Sequence, residues 1–247
     1  MERTRYQLIR FSARFISTKE GYEQMPLTIA IDGPVGAGKS TISDEVAQRL
    51  GILHLDTGAM YRAVGLCVMR RGMDLQDEAA VSALCEAGGV QVDVRYENGA
   101  QRTLLNGEDV TSFIRAQEVG QAASAVSRYA AVRKMLVRRQ QEMAKSQSML
   151  LDGRDIGTVV LPHATVKIYL TASAQARAQR RMLQLREKGD ETPFEDILRE
   201  VNARDDQDMH REVDPLRQAE DAVPVDSSNI TFEETVEAIL SIVEAKK

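Results

Sequence analysis

The residues best equipped for chemistry fall in one run, Asp32-Gly33-Pro34-Val35-Gly36-Ala37-Gly38-Lys39-Ser40-Thr41, whose spacing is G-x-x-x-x-G-K-[ST]. Glycines at these intervals let consecutive main-chain N–H groups turn inward, and a helix starting at the end of the loop adds the positive end of its dipole. Gly33 to Thr41 are therefore expected to cradle the phosphates of a nucleoside triphosphate. Lys39 supplies a mobile positive charge, and the Ser40 hydroxyl is placed to ligate Mg²⁺ bridging the outer phosphates. A dinucleotide fold is excluded, because Ser40-Thr41 stand where its third glycine would fall.

A phosphate loop does not identify the second substrate, and arginines are the residues suited to bind it. The planar guanidinium fork matches phosphate oxygens in pairs. Arg62 closes the run Asp56-Thr57-Gly58-Ala59-Met60-Tyr61-Arg62, Arg133 lies early in a helical stretch, and Arg154 belongs to Asp152-Gly153-Arg154-Asp155. Any one of them alone suits a surface charge. Arg154 differs, because it follows the apolar run Met149-Leu150-Leu151 and so falls at the carboxyl edge where open α/β sheets bind ligands. Asp152 has the place of an acid acting on Mg²⁺, and equally that of a turn aspartate capping its own backbone. Farther on, Arg177-x-x-Arg180-Arg181, Glu187-Lys188-Gly189-Asp190 and the segment from Arg204 to Arg211 are dense in both charges. They fit a solvated helical hairpin, or a lid over about residues 177–211 whose arginines close on the transferring phosphoryl group.

The elements that must hold these groups alternate between short β-like and longer helical patterns. Strands are predicted at Leu27–Ile31, Ile52–Leu55, Met149–Leu151, Val166–Leu170 and Ala222–Val225. Helices are predicted from about Ser40 to Leu50 with Gly51 as the stop, and over Ala59–Arg70, Ala130–Lys145 and Ala174–Glu187. Thr192-Pro193-Phe194-Glu195 and Thr231-x-x-Glu234 read as helix caps, the second opening a final helix towards Lys246. The alternation predicts an α/β fold with a parallel sheet covered by helices. One segment interrupts it: alternation from Val90 to Tyr96, with turns at Asn98-Gly99 and Asn106-Gly107, predicts a small antiparallel insert over about residues 88–112, standing apart from the parallel sheet.

At 247 residues, 43% hydrophobic and 28% charged, the chain has the composition of a globular protein rather than a disordered or collagen-like one. Its net charge of −5 offers no field to gather nucleic acid or an anionic membrane, so phosphate binding must be local. Cys67 and Cys85 have no C-x-x-C spacing and read as reduced thiols of a cytoplasmic protein. His54, His163 and His210 are scattered, which favours packing or surface roles over a zinc site. Residues 1–24, rich in Arg yet without the apolar centre of a secretory signal, read as a dispensable extension before a domain over 25–247.

Together, Ile31-Asp32-Gly33-Pro34-x-Gly36-Ala37-Gly38-Lys39, Leu55-Asp56-Thr57-Gly58-Ala59-Met60-Tyr61-Arg62, the run from Asp152 to Val160, and Arg204-Asp205-Asp206-x-Asp208 resemble the bacterial cytidylate kinases over about residues 26–245. The resemblance implies ATP-dependent phosphorylation of CMP and dCMP with Mg²⁺. It also implies a P-loop kinase fold of five parallel strands with a monophosphate-binding insert and a lid, acting as a monomer. Lys39, Arg154 and Arg204 would form the catalytic group. Arg62 and Arg154 resemble ligands of the acceptor phosphate; Ser124, Arg133, Asp155 and Arg211 resemble the cytosine pocket; Arg204 and Asp208 resemble sugar and lid contacts. Thr57 stands where the family often has Ser, and keeps the hydroxyl. Beside this reading stand kinases of another small acceptor (UMP, AMP or shikimate) and a nucleotide-dependent switch.

Overall fold

The structure, a computed structural model, describes residues 26–246. The stretch read as an extension lies outside the described residues. In chain order the elements are β1 (Thr28–Asp32), α1 (Lys39–Leu50), β2 (Leu53–Asp56), α2 (Thr57–Arg70), α3 (Glu78–Glu86), β3 (Val92–Glu97), β4 (Ala100–Leu105), β5 (Glu108–Asp109), α4 (Gln117–Val126), α5 (Ala130–Ala144), β6 (Met149–Gly153), β7 (Val166–Thr171), α6 (Ala174–Arg186), α7 (Phe194–His210), β8 (Val223–Asp226) and α8 (Phe232–Lys246). A 3-10 turn at Phe113–Arg115 and a π turn at Ile156–Val160 complete them.

The predicted strands form one parallel sheet in the order β2-β6-β1-β7-β8. Helices cover both faces, which is why its strands are apolar on successive residues. Ile29, Ile31, Leu150, Ile168 and Leu170 bury against Ile42 and Val46 of α1 and Val236 and Ile239 of α8. Ala30, Leu55, Met149 and Leu151 point the other way, onto Met60 and Val64 of α2 and Leu136 of α5. In register, Asp152 of β6 lies beside both Ile31 and Asp56, so the acidic ends of β1, β2 and β6 gather at one carboxyl edge.

Antiparallel β3-β4-β5 is the predicted insert. Its turns at Asn98-Gly99 and Asn106-Gly107 hold all four residues at positive φ, as tight hairpins require. The expectation that it stands apart holds only for its hydrogen bonding as a sheet. Val92, Leu105, Val110 and Ile114 join the same apolar core as β2 and α2, and the Tyr96 hydroxyl donates to His54 O at 2.8 Å.

The helices α3 and α4 have no counterpart in the predicted elements. α4 packs on α2 where Gly65 has no side chain; a Cβ there would lie 2.9 Å from Ala123 N. Of the two predicted caps, Thr231 forms: its hydroxyl accepts from Glu234 N at 3.2 Å, and Glu234 Oε2 accepts from Thr231 N at 2.7 Å. Thr192 does not cap, because α7 begins at Phe194 and Pro193, not Thr192, takes the N-cap position; the Thr192 hydroxyl instead donates to the Asp190 carboxylate at 2.5 Å. α6 and α7 pair as a hairpin around a small core of their own, with Ala178, Met182, Leu185, Ile197 and Val201. Among the described residues no helix is long and apolar enough to cross a membrane.

Candidate active site

The phosphate loop joins the end of β1 to α1. Gly33 sits at φ 155°, and a Cβ there would fall 1.9 Å from Leu170 O of β7, so no side chain fits. Gly38, at φ 87°, caps α1 and leaves the first N–H groups of the helix free for phosphate oxygens. Lys39 is buried and donates to Pro34 O at 2.7 Å. Burial, with the positive Arg154 adding to it, brings the Lys39 pKa down to about 7 against the pull of Asp152, Asp208 and Asp32. Val35, Gly36, Gly38, Lys39, Ser40 and Thr41 line a cavity of about 440 Å³. Ala37 instead packs into the core beside α1.

Ser40 and Asp152, far apart in sequence, meet here: Ser40 Oγ donates to Asp152 Oδ2 at 2.7 Å. A hydroxyl and a carboxylate are hard oxygen donors suited to Mg²⁺, which keeps waters and substrate phosphates rather than filling an all-protein cage. Among the described residues no group of three or more acidic, His or Cys side chains could hold a metal unaided. Burial works against the Asp152 charge, but His54, Lys39 and Ser40 hold its carboxyl below the usual range. His54 lies buried behind it, with Nδ1 2.6 Å from Asp44 Oδ1 and Nε2 3.7 Å from Asp152 Oδ1. Desolvation opposes its charge, yet these carboxylates lift its pKa to about 10. A packing or surface role was expected of this histidine; nothing in the sequence pairs it with Asp152. Asp32 accepts from Ile156 N and Gly157 N at 2.7 Å each, tying the loop's strand to the π turn after β6.

Across the cavity is a second set of charges, nearly all in pairs. Arg133, 2% exposed, bonds Asp155 Oδ2 and reaches Asp214 Oδ2 at 2.7 Å, with Tyr61 stacked beneath its guanidinium at 5.5 Å. Arg211 lies 3.4 Å from Asp155 Oδ1 and donates to Asp214 O at 2.8 Å. Arg154 donates to Asp208 Oδ2 at 2.7 Å. Arg62 is fixed by Ile114 O at 2.8 Å and Ala116 O at 3.2 Å, leaving it without a carboxylate partner among the described residues. Thr57 donates its hydroxyl to Asp152 O at 2.7 Å and keeps only lone pairs for a ligand. Ser124 accepts from Gln207 of α7.

Thr57, Arg62, Ser124, Arg133, Asp152, Arg154, Asp155, Arg204, Asp208 and Arg211 thus all face one cavity with the loop. Arg204 is half-buried and has no ion pair among the described residues; desolvation and the neighbouring Arg154 disfavour its charge. A second, wider space of about 800 Å³ continues from it between α4 and the α6–α7 hairpin, sharing Arg62, Ser124 and Arg204 and adding Arg181.

The expectation that Arg177 and Arg180 close on a phosphoryl group is corrected. Arg177 is buried, forked onto Asp205 at 3.0 and 2.6 Å and donating to Val35 O and Ala172 O. Arg180 bonds the Ser227 main chain. Both lie in the first turns of α6, where the helix leaves the sheet, and so anchor its base. Gln207 was missed, although Arg204, Gln207, Asp208 and Arg211 share one helical stripe at i, i+3, i+4 and i+7.

A glycine-rich phosphate loop on the central strand of a parallel sheet, facing a basic pocket at the same carboxyl edge, defines a P-loop kinase. The Cytidylate kinase family model matches residues 29–245. A cytidylate kinase from Caldicellulosiruptor bescii is 47% identical over 216 residues, covering 87% of this chain and 95% of its own. One from Bacillus licheniformis is 44% identical over 220 residues, with 89% and 97% covered, and one from Lactobacillus johnsonii is 42% identical over 221 residues, with 90% and 95% covered. The chain belongs to the cytidylate kinase family.

Proposed function

We propose that the protein catalyses ATP + CMP ⇌ ADP + CDP, with dCMP as a second acceptor. The observation that carries this reading is a single cavity holding Lys39 and the Ser40–Asp152 pair on one wall and the Arg133–Asp155–Arg211 cluster on the other, with Arg154 between them. Family membership favours CMP over UMP, AMP or shikimate.

The acceptor phosphate lies between Arg62 and Arg154, whose forks match its oxygens. Cytosine presents acceptors at O2 and N3 and a donor at N4. Arginines and a carboxylate on the far wall offer the complementary groups; burial pushes the Asp155 carboxyl above the usual carboxylate range, and Arg133 and Arg211 oppose that rise. ATP threads its phosphates along Gly36 to Thr41, where Lys39 regains its proton under their charge. Mg²⁺ would be held by Ser40 and, directly or through water, Asp152; when bound it supplies charge neutralisation of the β- and γ-phosphates. An oxygen of CMP then attacks the γ-phosphorus as the bond from that phosphorus to the β,γ-bridging oxygen breaks, and ADP leaves with that electron pair. No covalent intermediate with the protein forms. Lys39, Arg154 and Arg204 stabilise the charge on the transferring group, and holding both substrates in line is worth about 7–11 kcal/mol. Arg204 comes from α7, so descent of the hairpin completes the site and keeps water out.

The test is ADP release measured with CMP, dCMP, UMP, AMP and shikimate in turn. The expected result is the highest kcat/KM with CMP and dCMP and little turnover without an acceptor. Equal rates with and without acceptor would overturn the proposal, as would a clear preference for another of the panel.

A further inference from the structure

β2 is an edge strand of the parallel sheet. Leu53 N reaches across to Ser148 O beside β6, and polar groups alternate in direction along a strand, so those of His54 and Asp56 face outward. Groups on such an edge need partners from elsewhere. Two side chains of the antiparallel insert supply them. Tyr96 of β3 and Gln101 of β4 stand directly opposite each other and so share one face. The Tyr96 hydroxyl donates to His54 O at 2.8 Å. Asp56 N donates to Gln101 Oε1 at 2.8 Å, and Gln101 Nε2 donates to Asp56 O at 3.2 Å and to Thr103 Oγ1 at 3.3 Å. The orientation of this amide is fixed by its partners, since a main-chain N–H only donates and a carbonyl only accepts. One side-chain amide thereby closes on Asp56 the two-bond ring that a residue of a neighbouring antiparallel strand would make.

Asp56 is the residue at which β2 turns into α2. Its carboxylate caps that helix by accepting from Ala59 N at 3.1 Å. The next residue, Thr57, donates to Asp152 O, and Arg62 follows in the second turn. Asp56, Thr57, Gly58 and Arg62 line the cavity, whereas Tyr96 and Gln101 do not. We propose that Gln101 is a positioning residue for acceptor binding: by holding both the N–H and the carbonyl of Asp56, it fixes the start of α2, and with it Thr57 and Arg62, without touching the nucleotide. This rests on the reading that Thr57 and Arg62 bind the acceptor. The insert is thus tied to the site through a side chain rather than through sheet pairing. The donor side is independent of this tie, because the phosphate loop leaves β1, which β6 separates from β2.

The experiment compares wild type with Gln101→Ala, Gln101→Met and Arg102→Ala. Steady-state kinetics are run with CMP and ATP varied in turn, and hydrogen exchange of the Asp56 amide is followed by NMR, with Tm alongside. Gln101 is half-buried, so its variants should fold. Methionine keeps the length of glutamine and loses its hydrogen bonds, which separates the amide from packing. Arg102 is the control, since its side chain lies on the opposite face of β4 and pairs with Glu97 at 2.9 Å. The expected result is a rise of about tenfold in KM for CMP in both Gln101 variants. KM for ATP and kcat stay near wild type, the Asp56 amide exchanges faster, and Arg102→Ala changes none of these. Faster exchange with an unchanged KM for CMP would refute the role in acceptor binding while leaving the tie itself intact. A normal KM in Gln101→Met would refute it as well, because packing alone would then suffice. Equal rises in KM for CMP and ATP would mean general loosening and overturn it. Unchanged exchange in Gln101→Ala would mean that Asp56 is held by other means, and the inference falls. A wild type without CMP turnover would overturn the function proposed above and this role with it, a failure told apart by an Asp56 amide that is still protected by Gln101.

Discussion

The two sides of the cavity treat charge in opposite ways. On the wall built by α5 and the π turn, Arg133 and Asp155 are buried and paired with each other, and Arg211 joins them from the end of α7. On the hairpin side, Arg204 and Arg181 have no ion pair among the described residues, and α6–α7 bury a separate small core. Near its base the hairpin reaches the rest of the protein through polar ties, Arg154–Asp208, Arg211–Asp155 and Gln207–Ser124. A paired wall keeps its shape without a ligand. A cation left unpaired on a movable helix gains a partner only when a phosphate arrives. Under the proposed function the wall serves recognition and the hairpin serves a charge that appears during the reaction.

The largest effect is expected outside that contrast, at the loop both sides serve. Lys39→Ala should lower kcat by about 10³-fold, since it removes a preorganised cation from the transferring phosphoryl group; near-normal turnover would break the account. The contrast itself is sharpened by a pair of variants. Arg133→Ala leaves the Asp155 carboxylate buried without its main partner, and should cost about 3–5 kcal/mol of stability, read as a lower urea midpoint. Arg204→Ala should lower kcat about 10²-fold with that midpoint unchanged. If the two variants lose stability equally, the division between a paired wall and an unpaired lid is wrong.

A smaller effect tests the buried lysine. In the ligand-free enzyme Lys39 loses its proton around pH 7, whereas an unfolded lysine holds it to about 10.4. Between these values the unfolded chain binds more protons, so this group's contribution to stability rises with pH across that window. Donor binding at pH 8 should correspondingly take up protons, seen as a calorimetric enthalpy that changes with the ionisation enthalpy of the buffer. A buffer-independent enthalpy would mean the lysine is already charged. The smallest effect is at Thr231, remote from both sides: Thr231→Ala loses the reciprocal cap of α8 and should lower Tm by about 2–4 °C without changing kcat.

The sheet was legible because burial on both faces forces runs such as Met149-Leu150-Leu151 to be apolar, and the loop because its glycines answer a steric demand, most plainly at Gly33 against Leu170 O. The Asn-Gly turns were legible for the same reason. α3 and α4 were not: the buried stripe of α4, Val119, Ala122, Ala123 and Val126, has helical spacing but is built of small residues that fit against Gly65 of α2 and carry little hydrophobic contrast. At the site, the residues in motifs line the cavity as the sequence led one to expect, and residues defined by partnership were not foreseen. His54 matters because β2 lies beside β6, and Gln207 because α7 folds onto α4; neither adjacency exists along the chain. Arg177 and Arg180 show the converse, charges that look available in sequence and are engaged by main-chain carbonyls in the fold.

The central claim, transfer of a phosphoryl group from ATP to CMP, is tested most directly by ³¹P NMR of the protein with ATP, Mg²⁺ and CMP. The expected spectra gain the β-phosphate of CDP in step with loss of the γ-phosphate of ATP, with ADP and CDP formed in equal amounts. Growth of inorganic phosphate while the CMP signal stays constant would contradict it.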